Sequence, residues 1–205
     1  MEQFSAVAGA HFLALLIPGV DFFLIARLTL AHGWRTATGA CVGIATANGV
    51  FITAAFCGLS LIANPALLDV IEGAGGVFLI LVGIAFLHST GVLHIQSGSP
   101  TNRVSWSRSL ILGLASGLLN PKNALFYVSL AAAVSRSSST VLAFYGVWMF
   151  VVVLAWDVFV AILLGSARAL AGMKRALPWA TKIAGGFLLL FGAGMIARVA
   201  ADALL

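Results

Sequence analysis

The chain has 205 residues, 61% of them hydrophobic and only 8% charged, with a formal net charge of +5 and a mean hydropathy of +1.10. A soluble domain carries about a quarter of its residues as charged side chains, so a soluble globular fold is excluded. The apolar residues stand in continuous runs rather than in ten-residue alternation, which also excludes an outer-membrane barrel. The pI near 9.9 does not point to nucleic acid, because the basic residues fall at the ends of apolar runs, where the positive-inside rule accounts for them.

Six apolar segments follow one another, at about 4–30, 37–63, 71–93, 109–134, 141–165 and 179–203. Each, at ~1.5 Å per residue, is long enough to cross a ~30 Å hydrocarbon core. The chain begins Met1-Glu2-Gln3-Phe4 with no basic region and no small-residue cleavage signal, so the first segment is expected to be a retained helix. Within it stand a lone histidine, His11, read as a satisfied or lumen-facing residue, and the breaker Pro18-Gly19-Val20-Asp21. The second segment holds Gly39-x-x-x-Gly43, which permits close helix contact, and Asn48. Its two cysteines, Cys41 and Cys57, fit neither CxxC nor a metal-ligand spacing and are expected to pack.

Gly73–Gly76 and Gly83 of the third segment, and Gly185, Gly186, Gly192 and Gly194 of the sixth, are read as packing positions. His88 and His94 flank the central loop at a spacing that suits no familiar metal site. The fourth segment is interrupted by Asn120-Pro121-Lys122-Asn123, and the fifth carries Trp156-Asp157. Trp106, Trp148 and Trp179 are read as interfacial or packing aromatics; Trp156, beside Asp157, stands equally as such an aromatic and as a residue that walls a cavity or stacks on a cation.

The longest polar joint, Ser97–Arg108, divides the chain. Residues 1–96 are expected to form one three-helix repeat, 97–108 a cytoplasmic linker, and 109–205 a second repeat within one structural unit. Arg27, Arg35, Arg103, Arg108, Arg168, Lys174, Arg175 and Lys182 fall in the odd-to-even joints, against Arg136 and Arg198 in the alternate ones. That imbalance places the odd-to-even joints in the cytoplasm and both termini outside. Glu2, Asp69, Glu72 and Asp202 all fall on the outer side. Three helices per half make the second half enter from the opposite face. The correspondence of Pro18 with Pro121 then implies an inverted repeat, a plan common among secondary transporters. The expected fold is therefore an all-α integral membrane protein with six transmembrane helices in two inverted three-helix repeats.

Asp21, Lys122 and Asp157 are charges within the membrane, each costing about 2.5–3.5 kcal/mol at a helix centre. Asp21 and Asp157 lie about 6 Å past their helix centres toward the cytoplasm at helical rise, and Lys122 lies near its own. With Asn48 and Asn120 they are expected to form one polar cluster. The breaks would bare backbone groups, which a bilayer tolerates only beside a cavity or protein partners. The expected substrate-binding set is Pro18, Gly19, Asp21, Asn48, Asn120, Pro121, Lys122, Asn123, Trp156 and Asp157. In this reading Asp21 or Asp157 takes a substrate ammonium, Lys122 and the breaks take a carboxylate, and one acid is available for a coupling proton. The competing reading is an ion-pair clasp of Lys122 with Asp21 or Asp157 between the halves.

These motifs resemble those of the lysine/threonine exporter (LysE/RhtB-type) family. The resemblance rests on Pro18-Gly19-Val20-Asp21 in place of a PGPD-like motif and on Asn120-Pro121-Lys122, preceded by Gly113-Leu114 and Gly117-Leu118-Leu119. It extends to the glycine-bounded stretches Gly76 to Gly83 and Gly186 to Gly192. Val20 stands where the family has a second proline, and Val128-Ser129-Leu130-Ala131 stands where it often continues to a Pro-Gln-Phe-like element. The resemblance implies export of amino acids or close derivatives through the inner membrane, driven by the proton gradient, with no cofactor and no enzymatic activity. The expected partners are the lipid bilayer and a small amino-acid substrate, with a homodimer left open and no nucleic acid. Two alternatives remain: transport of another solute or a metal cation on the same scaffold, and an intramembrane thiol-redox carrier.

Overall fold

The computed structural model describes residues 2–16, 18–60, 65–88, 104–135 and 137–202. Among them every regular element is a helix: α1 (Glu2–Leu15), α2 (Val20–His32), α3 (Trp34–Ser60), α4 (Pro65–His88), α5 (Trp106–Leu118), α6 (Pro121–Ala133), α7 (Ser139–Leu164) and α8 (Ala167–Asp202). Four stretches are long and apolar enough to cross a membrane: Trp34–Gly58, Leu67–His88, Ser139–Leu164 and Thr181–Asp202. The pair α1 and α2, bent by 50° at its break, makes a fifth if taken as one span. The bare outer surface, with Val77, Leu81, Ile111, Val147, Ile183 and Leu190 all exposed, suits lipid rather than water.

The first and fourth apolar runs each divide where a proline stands. Pro18 and Pro121 have no backbone N–H and disfavour helical geometry in the residue before them. α5 and α6 are 13 residues each, about 20 Å at helical rise, so neither crosses a bilayer alone. α8 departs further from expectation. It starts at Ala167 and runs for 36 residues with Pro178 inside it, so the basic stretch expected as a loop is helical. A two-residue joint, Gly165-Ser166, is all that separates it from α7. The linker expected at 97–108 is described only from Val104, where Ser105 caps α5 by accepting from the Arg108 N–H at 3.2 Å. His94, Arg103 and Arg136 lie outside the described residues.

Glycine decides which helices approach closely. A Cβ on Gly39 or Gly43 of α3 would strike the α5 backbone, at Trp106 and at Leu110, and a Cβ on Gly113 would strike Ala40 in return. Both sequence numbers rise together, so α3 and α5 run parallel. Gly76 faces the Gly192 carbonyl and Gly83 that of Gly185, each reciprocally; here one number rises as the other falls, and α4 and α8 are antiparallel. The packing role expected of glycine holds at these positions and at Gly75, which abuts Ser129. Gly73, Gly186 and Gly194 instead face open space.

Glu72 is buried in α4 and lies 3.5 Å from Arg198 of α8. Cys41 is buried, with its thiol directed to the Ala37 carbonyl at 3.3 Å, and Cys57 is exposed; neither is in a disulfide.

Candidate functional site

The two breaks face each other across the molecule. α1 ends at Leu15 and α2 starts at Val20, with Gly19 as its N-cap residue and no side-chain cap. A helix start leaves its first N–H groups without intrahelical partners. At the other break only Leu119 and Asn120 intervene. The Asn120 side chain caps α6, its Oδ1 accepting from the Lys122 N–H at 3.2 Å, and Pro121 occupies the first helical position, where its missing N–H costs nothing.

Each charge serves the opposite break. Asp21, in the first turn of α2, accepts three hydrogen bonds from the second break: Ser116 at 2.6 Å on Oδ1, and Asn123 at 2.9 Å and Asn120 at 3.3 Å on Oδ2. Its carboxylate therefore sits at the positive N-terminal end of α6. Lys122 reaches the first break, where its Nζ lies 3.7 Å from the position of a Cβ on Gly19. It also lies 5.3 Å from the ring centre of Phe86, within cation–π range. Among the described residues Lys122 forms no ion pair with Asp21 or Asp157.

Between the breaks lies a cavity of about 70 Å³. Of the ten residues singled out in the sequence, Gly19, Asp21, Asn48, Asn120, Lys122, Asn123, Trp156 and Asp157 line it; Pro18 does not, and the Pro121 side chain lies outside what is described. Asn48 is turned partly back on its own helix, donating to the Ile44 carbonyl at 2.8 Å. Trp156 packs edge-on against Phe12 and tilts against Phe159. Asp157 is 8% exposed, and its Oδ2 has no hydrogen-bond partner among the described residues. A buried, unpartnered polar atom is costly, and such atoms concentrate where a ligand, water or ion belongs.

Three residues outside the expected binding set belong to the site: Ser116 and Tyr127, which the sequence reading missed, and His11, which it read as satisfied or lumen-facing. Ser116 supplies the shortest bond to Asp21. His11 is fully buried, and its Nε2 lies 3.3 Å from the Tyr127 hydroxyl. His11 Nδ1 is unpartnered, and both residues line the cavity. A histidine in an apolar run was the available signal, since a polar ring is carried into a membrane only at a cost. Ser116 and Tyr127 give no such signal. Among the described residues no group of three or more His, Cys, Asp or Glu is placed to hold a metal ion.

The chain aligns with the threonine efflux protein of Salmonella typhimurium, 29% identical over 204 residues, covering 96% of this chain and 98% of that one. The threonine efflux protein of Escherichia coli K12 is likewise 29% identical, over 94% of this chain and 97% of its own. A leucine efflux protein of Klebsiella pneumoniae is 30% identical over 63% of this chain and 61% of its own. No solved structure matches the chain. Residues 12–198, which contain both breaks and every cavity-lining residue except His11, match the pattern of one family; the chain belongs to the LysE type translocators, and is a membrane transporter rather than an enzyme.

Proposed function

We propose that the protein exports amino acids across the inner membrane, exchanging them for protons, with the substrate held in the cavity between the two helix breaks. The observation that carries this reading is the cavity itself: a carboxylate, an ammonium and amides converge on it from both halves of the chain. That set of groups complements a small zwitterion, and the relatives named for threonine and leucine efflux point to the same class of substrate. Around the substrate stand Gly19, Asn48, Lys122, Trp156 and Asp157, while Asp21, Asn120 and Asn123 hold the wall. Pro18 and Pro121 act by breaking their helices.

The same proposal takes α1 with α2, and α5 with α6, as two broken spans. With α3, α4, α7 and α8 these make six crossings in two inverted halves, both termini outside. In support, each half runs as a broken pair followed by two long helices. The parallel α3–α5 and antiparallel α4–α8 packing matches the directions that six alternating crossings require. Alternating access follows if the halves rock about the cavity.

Cells lacking endogenous exporters, loaded with threonine- or leucine-containing dipeptides, test the function. Expression of the protein is expected to lower the retained amino acid, and collapse of the proton gradient to remove the effect. Unchanged retention of every amino acid on expression would overturn the proposal.

A further inference from the structure

We propose that Asp157 is the exchange site of this transporter: a proton and the α-ammonium of the substrate compete for its carboxylate, while the α-carboxylate is held by Lys122 and the uncapped N-terminus of α2. This rests on the amino-acid export reading above.

Two acids line the cavity, and their surroundings separate their roles. Asp21 already accepts three hydrogen bonds at 2.6–3.3 Å and sits at the positive end of α6. A substrate ammonium there would have to displace bonds that hold the two halves together. Asp157 is as deeply buried as a core residue, and its Oδ2 has no hydrogen-bond partner among the described residues. An ionised carboxylate left that way in a low-dielectric interior is an uncompensated charge, so the group requires either a proton or a cation. A transported ammonium is such a cation.

The anionic pole follows from the same contrast. The N-terminus of α6 is filled by the Asn120 side chain and the Asp21 carboxylate, whereas that of α2 has no side-chain cap. Its N–H groups and positive dipole end suit an anion. Gly19 leaves the approach open, and the Lys122 ammonium is beside it with no ion-pair partner among the described residues. The bare helix end and the bare Asp157 oxygen are independent features of one cavity, and together they fit the two ends of a zwitterion.

The chemistry is a proton transfer and balances without redox change. In the empty site Asp157 is a neutral carboxylic acid. As substrate enters from the cytoplasm the acid O–H bond breaks, the proton passes to water in the open mouth, and the carboxylate accepts an ammonium N–H. On the outer side a proton rejoins the carboxylate and the ammonium leaves. The other titratable or charged groups facing the cavity are His11 of α1, Asp21 of α2, and Lys122 and Tyr127 of α6; Cys41 of α3 lies within electrostatic range of Asp157, and α8 adds no residue to the lining. His11 is the competing proton site, since its Nδ1 is also unpartnered.

Calorimetry on the purified full-length protein tests this, with L-threonine and L-leucine as probes, in paired buffers of different ionisation enthalpy between pH 5 and 9. The wild type is expected to release about one proton per amino acid bound, with affinity falling about tenfold per pH unit on the acid side of the transition. Asp157→Asn should bind at least about tenfold more weakly and release no proton. Gly19→Ala should weaken amino-acid binding about tenfold yet leave the matching amino alcohol, which lacks the carboxylate, unaffected. Wild-type binding without proton release, or release that persists in Asp157→Asn and disappears in His11→Gln, would overturn the assignment and leave amino-acid export standing. If the wild type binds none of the common amino acids, both the assignment and the export reading fall.

Discussion

At the first break α1 ends at Leu15, α2 starts at Val20, and no side chain caps the second helix. At the second break two residues separate α5 from α6, and Asn120 caps the second helix with its own side chain. Both breaks carry a proline, and each carries one charge of opposite sign, so they look like equivalent halves of a device. The hydrogen bonds make them unequal. The Asp21 carboxylate from the first break completes the second, whereas the Lys122 ammonium approaches the first without closing it. A transporter needs parts that hold and parts that exchange. Hydrogen-bond saturation marks the second break as holding and leaves the first open to a ligand.

The strongest way to break this comparison is Asp21→Ala. It strands three donors, on Ser116, Asn120 and Asn123, and is expected to cost about 3–5 kcal/mol of stability, read as a lower unfolding midpoint in detergent. A wild-type midpoint would mean that the second break closes without Asp21. Asn120→Ala removes the α6 cap and one of those donors; about 1–2 kcal/mol should be lost, measured by the same unfolding curve.

Lys122→Met probes the open side. Loss of the Phe86 contact should cost about 1 kcal/mol, but transport assayed by counterflow in proteoliposomes should be abolished. A variant that transports normally would remove Lys122 from the site. The smallest expected stability change belongs to Gly19→Ala. Its φ of −112° is accessible to alanine, and the added Cβ would lie in ordinary contact 3.7 Å from Lys122 Nζ. Stability should hold or rise by about 0.4–1 kcal/mol while counterflow slows; a marked drop in the unfolding midpoint would show that the first break is as tightly packed as the second.

Much of this was legible beforehand because it depends on local chemistry. Apolar runs of sufficient length, interrupted by proline, predict broken helices wherever the chain folds, and both breaks stand where Pro18 and Pro121 put them. Intramembrane charges require company, and Asp21, Lys122 and Asp157 do share one cavity. Gly39 and Gly43 were readable as a contact face because a missing Cβ has one obvious use. Where composition misled, local bias had been outweighed: the basic stretch after Arg168 is polar enough for a loop, yet α8 continues through it and through Pro178. The partner of Glu72 was not readable from the sequence either: Arg198, more than a hundred residues away, lies 3.5 Å from it.

By itself the sequence determined that the protein lives in a membrane, that two of its helical runs break, and that opposite charges stand at the breaks. These follow from transfer free energies and from proline's missing N–H, which act residue by residue. Only the tertiary structure decided which partner each charge meets. The bonds from Ser116, Asn120 and Asn123 to Asp21 join residues about a hundred positions apart, as does the His11–Tyr127 contact. Such contacts depend on how helices cross and in what register, and glycine-level backbone packing between α3 and α5 and between α4 and α8 sets that register. The tertiary structure also leaves one oxygen of Asp157 without a hydrogen-bond partner among the described residues, a property that no pattern of neighbouring residues encodes.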